Sequence, residues 1–223
     1  MKENEPKGVY LHLTEAMKQI MDQLRTQGNE QAVQHIGRAI MGAAGQANRE
    51  YANGAFSMKQ VMKHFDELLT DDFKESKHTP KITCSRGCSF CCYIKVDVGY
   101  FEAKLIYDYC KENNIVIDWG YLETQSHMDD LKSWKDNKML RKCEFLKNNE
   151  CSVYEVRPTS CRKHVSLSPP ADCDVDGPTK MIAKPMLLNA EVLASGLWNS
   201  NIPSGTLSQM LLKVKADDEA RRP

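Results

Sequence analysis

Eight of the chain's nine cysteines fall into two groups. The first, in CSRGCSFCC, is Cys84-x3-Cys88-x2-Cys91-Cys92. The second is Cys143-x7-Cys151-x9-Cys161-x11-Cys173. Thiolates set this densely repel one another, and a bound cation removes that repulsion and favours the deprotonated form. Eight sulfurs suit two tetrahedral all-sulfur zinc sites, or one iron–sulfur cluster with a second site or spare thiols. The three close thiols Cys84, Cys88 and Cys91 tilt the choice slightly to iron. In an extended chain adjacent side chains leave on opposite sides. Cys91 and Cys92 are therefore expected to serve different ligands, or one of them is buried or reactive. The ninth cysteine, Cys110, reads as a small buried hydrophobe.

Arg157, Arg162 and His164 stand beside Cys161. Guanidinium N–H donors stabilise anionic sulfur, so both arginines are candidate supports for a metal centre, alongside the alternatives of an anionic ligand or a pair with Glu155. His164 is a candidate replacement ligand. Serine, histidine or carboxylate catalytic machinery does not show, no Gly-rich phosphate loop is present, and the catalytic residues are unknown. Asp71-Asp72 and Asp129-Asp130 read as solvated helix ends.

The surrounding chain is 223 residues long, 41% hydrophobic and 27% charged, ordinary for a globular protein. Thirty basic residues balance thirty acidic ones, which gives no sign of a nucleic-acid partner. No apolar run approaches the ~18 residues of a membrane span. MKENEPKGVY lacks the apolar core of a secretory signal, so the expected location is cytoplasmic, where thiols stay reduced unless ligated. The odd cysteine count also suits a paired disulfide framework poorly.

Three segments are expected to position these groups: residues 1–79, helical; 80–175, the cysteine region; and 176–223, helices packing on it. In the first, Leu13, Met17, Ile20 and Leu24 mark one helix, and Val33, Ile36, Ile40 and Ala44 a second. The small residues from Ala39 to Gly45 would let that second helix pack closely. Ser57 and Gln60 open a third helix carrying Met58, Val61, Met62, Phe65, Leu68 and Leu69, which the polar run from Thr70 ends. These Met-rich stripes read as core, with a partner or self-association surface as the functional alternative.

In the middle segment, Tyr100–Lys111 reads as a helix and Asn114–Ile117 as a strand or link. Trp119–Trp134 reads as one helix with Leu122, Met128 and Leu131 inward. Residues 135–175 read as irregular. In the last, Met181 to Leu197 suggests a long buried helix that Pro185 kinks or begins. Ile202–Gly205 reads as a turn, and Thr206 with Gln209 caps a final helix.

CSRGCSFCC followed by CEFLKNNECSVYEVRPTSCR resembles the CxxCxxCC (YkgJ-type) cysteine-cluster family of zinc- or iron-chelating proteins. The matching residues are Cys84, Cys88, Cys91 and Cys92, then Cys143, Phe145, Leu146, Cys151, Val153, Tyr154, Arg157, Pro158, Cys161 and Arg162. The resemblance covers residues 80–175 and implies metal chelation. A similar cluster in flagellin lysine N-methylase adds a methyl-transfer alternative. Cys84-x3-Cys88-x2-Cys91 is also radical S-adenosylmethionine spacing, but too little alternating strand and helix follows to build the usual barrel.

The expected fold is thus mainly α, with helical bundle-like elements around an irregular, metal-ligated cysteine region. The expected function is metal binding, zinc or iron, at a structural or chelating site. The alternatives are an iron–sulfur enzyme, by methyl transfer or redox chemistry, and a helical scaffold stapled by metal.

Overall fold

The computed structural model of the chain describes residues 11–75, 82–85, 87–128, 130–178 and 180–221. Three helices come first: α1 (Glu15–Thr26), α2 (Glu30–Ala52) and α3 (Met58–Glu75). The cysteine region follows, with β1 (Asp97–Gly99), α4 (Tyr100–Glu112), α5 (Trp119–Ser126), α6 (Leu131–Asp136), β2 (Leu146–Lys147), β3 (Glu150–Cys151) and the single turn α7 (Thr159–Arg162). The chain closes with α8 (Leu188–Trp198), β4 (Ser204–Thr206) and α9 (Leu207–Glu219). The fold is mainly α.

The expected stripes are core. Met17 and Met21 of α1 pack with Val33, Ile36 and Ile40 of α2, and Leu188 and Val192 of α8 join them. Phe65 and Leu69 of α3 pack on Leu187, Ala190 and Ala194. Helix α8 therefore completes a bundle with the first three helices, although a long stretch of chain separates them. Helix α9 goes elsewhere, against α4 and α5. Its Leu207, Met210, Leu211 and Val214 meet Ala103, Ile106, Cys110 and Leu122. The small-residue run of α2 is where α8 comes closest. A methyl group on Gly196 would stand 2.5 Å from the Ala43 Cβ.

Two small antiparallel ladders pin the ends of the cysteine region. β1 pairs with β4, Val98 opposite Gly205. This ties the start of α4 to the start of α9, whose Thr206–Gln209 capping box forms as expected. β2 and β3 form a hairpin turned by Asn148 and Asn149, at φ of 51° and 61°. Asparagine tolerates that left-handed conformation, which matches the twist of the paired strands.

Five expectations are corrected. Helix α3 does not stop at Thr70 but runs to Glu75. Asp72 is not a solvated end: it is buried and accepts hydrogen bonds from the backbone N–H of Asn189 (3.1 Å) and of Ala190 (3.0 Å). A carboxylate from one helix thus caps another, satisfying amides that α8 cannot satisfy itself. Trp119–Trp134 is two helices, because Asp130 caps a new start through the Ser133 amide (2.7 Å); Leu131 lies outward at 68% exposure. The long helix from Met181 begins only at Leu188. Met181 is 96% exposed, and the chain there has no regular secondary structure, with Ala183 accepting the Leu167 amide (2.8 Å). Finally, Ser204 and Gly205 are strand rather than turn.

Candidate metal centre

Thr83 and Cys92 are held by backbone bonds to distant parts of the chain. The Thr83 amide donates to the Ser166 carbonyl (2.9 Å), and its hydroxyl donates to the Ser168 carbonyl. Gly87, at φ 84°, turns the chain so that the Cys88 amide returns to the Ser85 carbonyl (3.0 Å). A 3-10 turn over Phe90–Tyr93 then carries Cys91 and Cys92. The pair is therefore not extended. Their side chains sit on one tight turn, and each thiol shifts the other.

This turn is the meeting point of the two cysteine groups. The Cys143 amide donates to the Cys92 carbonyl (2.8 Å), fixing the hairpin region against it. On another side the turn packs against the 3-10 turn Pro170–Cys173. The sulfurs feel one another accordingly. Cys88 is influenced by Cys84, Cys91 and Cys173. Cys92 is influenced by Cys91, Cys143 and Cys151, and Cys161 by Cys143, Cys91 and Cys151. Cys91 belongs to both neighbourhoods.

Several sulfurs also receive backbone amides. The Ser166 N–H donates to the Cys84 sulfur at 3.3 Å. The amides of Phe90, Phe145 and Val153 donate to Cys88, Cys143 and Cys151, each two residues earlier. Such bonds favour the thiolate, and burial opposes them. Burial wins in the isolated chain: it pushes Cys143 up to about 12 and Cys161 well above the usual thiol range. Cys91 goes the other way, to about 7, because the adjacent Cys92 thiol lowers it and Arg157 lies near. Cys92 rises in consequence.

All nine cysteines are free thiols; Cys84 is exposed, Cys110 is buried as expected, and the others are partly buried. Among the described residues, no three histidine, cysteine, aspartate or glutamate side chains form a ready-made ion cage. The donor set nevertheless suits zinc or iron by its chemistry: free sulfur, partly buried, with amides directed at it.

The three non-cysteine candidates have different surroundings. Arg157 lies over the Tyr154 ring, 3.7 Å from its centre, and lowers both Cys91 and Cys151. Arg162 is buried and turned toward α3. It binds both oxygens of Asp66 (2.9 and 2.7 Å) and the carbonyls of Arg157 (2.9 Å) and Glu155 (2.5 Å). His164 is partly buried; burial and then Lys184 and Lys163 hold it down to about 4, so it is neutral near pH 7.

Sequence reasoning missed Glu102. Its carboxylate is buried in α4 and accepts from the Gly99 amide (2.8 Å), the Thr159 amide (2.8 Å) and the Thr159 hydroxyl (2.9 Å). Burial pushes it above the usual carboxylate range, against those donors and Arg162. Its position three residues after Gly99, at the start of a helix, was the available signal.

Fold and donor set define a mainly helical protein built around a cysteine-rich segment. Residues 83–177 match the model of the CxxCxxCC family, described as "Putative zinc- or iron-chelating domain". No curated protein and no solved structure matches the chain. No helix among the described residues is long and apolar enough to cross a membrane.

Proposed function

We infer that the domain holds its metal through Cys84, Cys88, Cys91, Cys92, Cys143, Cys151, Cys161 and Cys173, and that the bound metal secures the irregular segment. The observation that carries this reading is the set of backbone amides directed at Cys84, Cys88, Cys143 and Cys151. Neutral thiols gain little from such donors, whereas metal-bound thiolates gain charge-assisted bonds. The raised thiols make loading proton-coupled: the metal displaces protons that burial otherwise retains. Arg157 supports the anionic sulfurs.

Two neighbourhoods follow, Cys84, Cys88 and Cys173 on one side and Cys92, Cys143, Cys151 and Cys161 on the other, with Cys91 between them. We favour iron, as an iron–sulfur centre, because Cys84, Cys88 and Cys91 come from one short loop. Cytoplasm is the compartment that keeps such ligands reduced. The absence of a barrel among the described elements disfavours the radical reading.

Anaerobic purification with elemental analysis and an optical spectrum tests the assignment. Bound iron with sulfide-to-iron absorption is expected, and Cys88→Ser or Cys151→Ser each lowers the bound metal. A chain that binds neither iron nor zinc, with unchanged unfolding in chelator, refutes it. Colourless protein with stoichiometric zinc would keep the eight ligands and refute the iron–sulfur assignment alone.

A further inference from the structure

Three successive residues of the cysteine region reach three different parts of the molecule. Cys161 lies among Cys91, Cys143 and Cys151. Arg162 spans to α3, where both oxygens of Asp66 accept from its Nη1 (2.9 and 2.7 Å). Lys163 spans to α8, where its Nζ donates to both oxygens of Glu191 (2.8 and 2.9 Å). This second pair is largely out of water, its side chains 16% and 5% exposed.

The second pair continues into α1. Glu191 Oε2 also accepts from the Thr14 hydroxyl (2.5 Å), and the same Thr14 oxygen accepts the Met17 amide (3.2 Å) as the cap of α1. One line of contacts therefore runs from Cys161 through Lys163 and Glu191 to the first turn of α1. A separate line runs through Arg162 to α3. The two lines meet at α7.

Helix α7 is a single turn, closed by the Lys163 amide on the Thr159 carbonyl (3.0 Å). A helix this short has no stability of its own. Its place is set by what its side chains hold: Glu102 at Thr159, the sulfur group at Cys161, and the bundle at Arg162 and Lys163. One turn cannot absorb a displacement of Cys161 without passing it to the two residues that follow. Were Lys163 to withdraw, Glu191 would lose its paired cation while still buried, which is strongly unfavourable.

We propose that metal occupancy at Cys161 is coupled through α7 to the order of the helical bundle, so that loading tightens α8 and the start of α1. The coupling rests on the assignment of Cys161 as a metal ligand. Its two states are α7 docked on Asp66 and Glu191, and α7 released by local opening. Coupling of this kind is reciprocal: a bundle residue that favours docked α7 favours metal binding by the same factor, although it touches no ligand.

The probe is zinc chloride, with ferrous iron as a second ion, titrated anaerobically into metal-free full-length chain against a competing chelator. Bound metal should slow amide exchange in α8 and the first turn of α1 by roughly tenfold. Asp66→Asn and Glu191→Gln should each weaken the metal about fivefold or more. Gly196→Ala loosens the same bundle at its contact with α2 and should leave the affinity within about twofold. Metal that binds while exchange in α1 and α8 stays unchanged overturns the coupling alone. So does wild-type affinity in folded Asp66→Asn and Glu191→Gln, or an equal loss in Gly196→Ala, which would make the effect general destabilisation. Asp66 is half-exposed, so Asp66→Asn decides even where Glu191→Gln does not fold. A chain that takes up neither ion overturns the ligand assignment and the coupling together.

Discussion

Glu102 and Thr159 are joined twice: one carboxylate oxygen accepts both the backbone N–H (2.8 Å) and the hydroxyl (2.9 Å) of Thr159. The other oxygen holds the Gly99 amide. A single side chain thus fixes the start of α4, β1 and the turn α7, which presents Cys161. Glu102→Ala leaves those buried donors without acceptors and should destabilise the chain by about 2–4 kcal/mol. Glu102→Gln keeps one acceptor oxygen and should cost less. Urea unfolding of the two variants measures this; equal midpoints for Ala and wild type would contradict it.

The contact of α2 with α8 leaves no room for a methyl group. On Gly196 it would stand 2.5 Å from the Ala43 Cβ and 3.2 Å from the Ile40 carbonyl oxygen. Gly196→Ala should cost about 1–3 kcal/mol through overpacking. Adding Ala43→Gly should recover part of the loss by removing the closest atom. Thermal unfolding of the single and double variants checks both, and a double variant no better than the single would show that the carbonyl contact dominates.

Cys91 is lowered to about 7 chiefly by the adjacent Cys92 thiol, against burial, then by its own backbone amide and last by Arg157. In metal-free protein at pH 7, Cys92→Ala should slow alkylation of Cys91 more than Arg157→Gln does. The latter effect should be on the order of two- to fivefold, since the rate follows the thiolate fraction. Iodoacetamide labelling with peptide mass spectrometry across pH gives both profiles. Identical profiles for wild type and Cys92→Ala would remove the paired-thiol account.

His164 lies at about 4 in the folded chain, against 6.5 for a free histidine. As pH falls from 6.5 toward 4, the unfolded chain takes up this proton first. Stability from His164 is therefore complete above 6.5 and is lost on acidification through that window. His164→Gln should flatten the acid slope there, by less than ~1.4 kcal/mol per pH unit because the ring is partly exposed. Denaturant midpoints of wild type and variant between pH 4 and 7 supply the comparison, and parallel curves would count against it.

Much of this was legible in the sequence where the physics is local. The 3.6-residue stripes through Met17, Ile20 and Leu24 and through Val33, Ile36 and Ile40 announced both helices and their core, though the buried Met21 was not among them, and Thr206 with Gln209 announced α9 correctly. Non-local chemistry was not legible. Asp71-Asp72 looks like any acidic helix end; that Asp72 caps α8 depends on packing between distant elements. Hydrophobicity around Met181 suggested helix, but Pro185 breaks the pattern and Ala183 is bonded to Leu167 and Ser168 instead of to a helical turn. The cysteine pattern pointed to chelation, while the amides directed at its sulfurs depend on local backbone turns that spacing alone does not reveal.

Helix α8 fits between partners made before the cysteine region, whereas α8 itself is made after it. During synthesis the first three helices therefore leave the ribosome without the element that covers Ile40, Phe65 and Leu69, and Asp72 waits for the amides it caps. The thiols emerge during that interval. Completion of the bundle thus waits until every cysteine has been made and exposed to whatever metal or oxidant the nascent chain encounters.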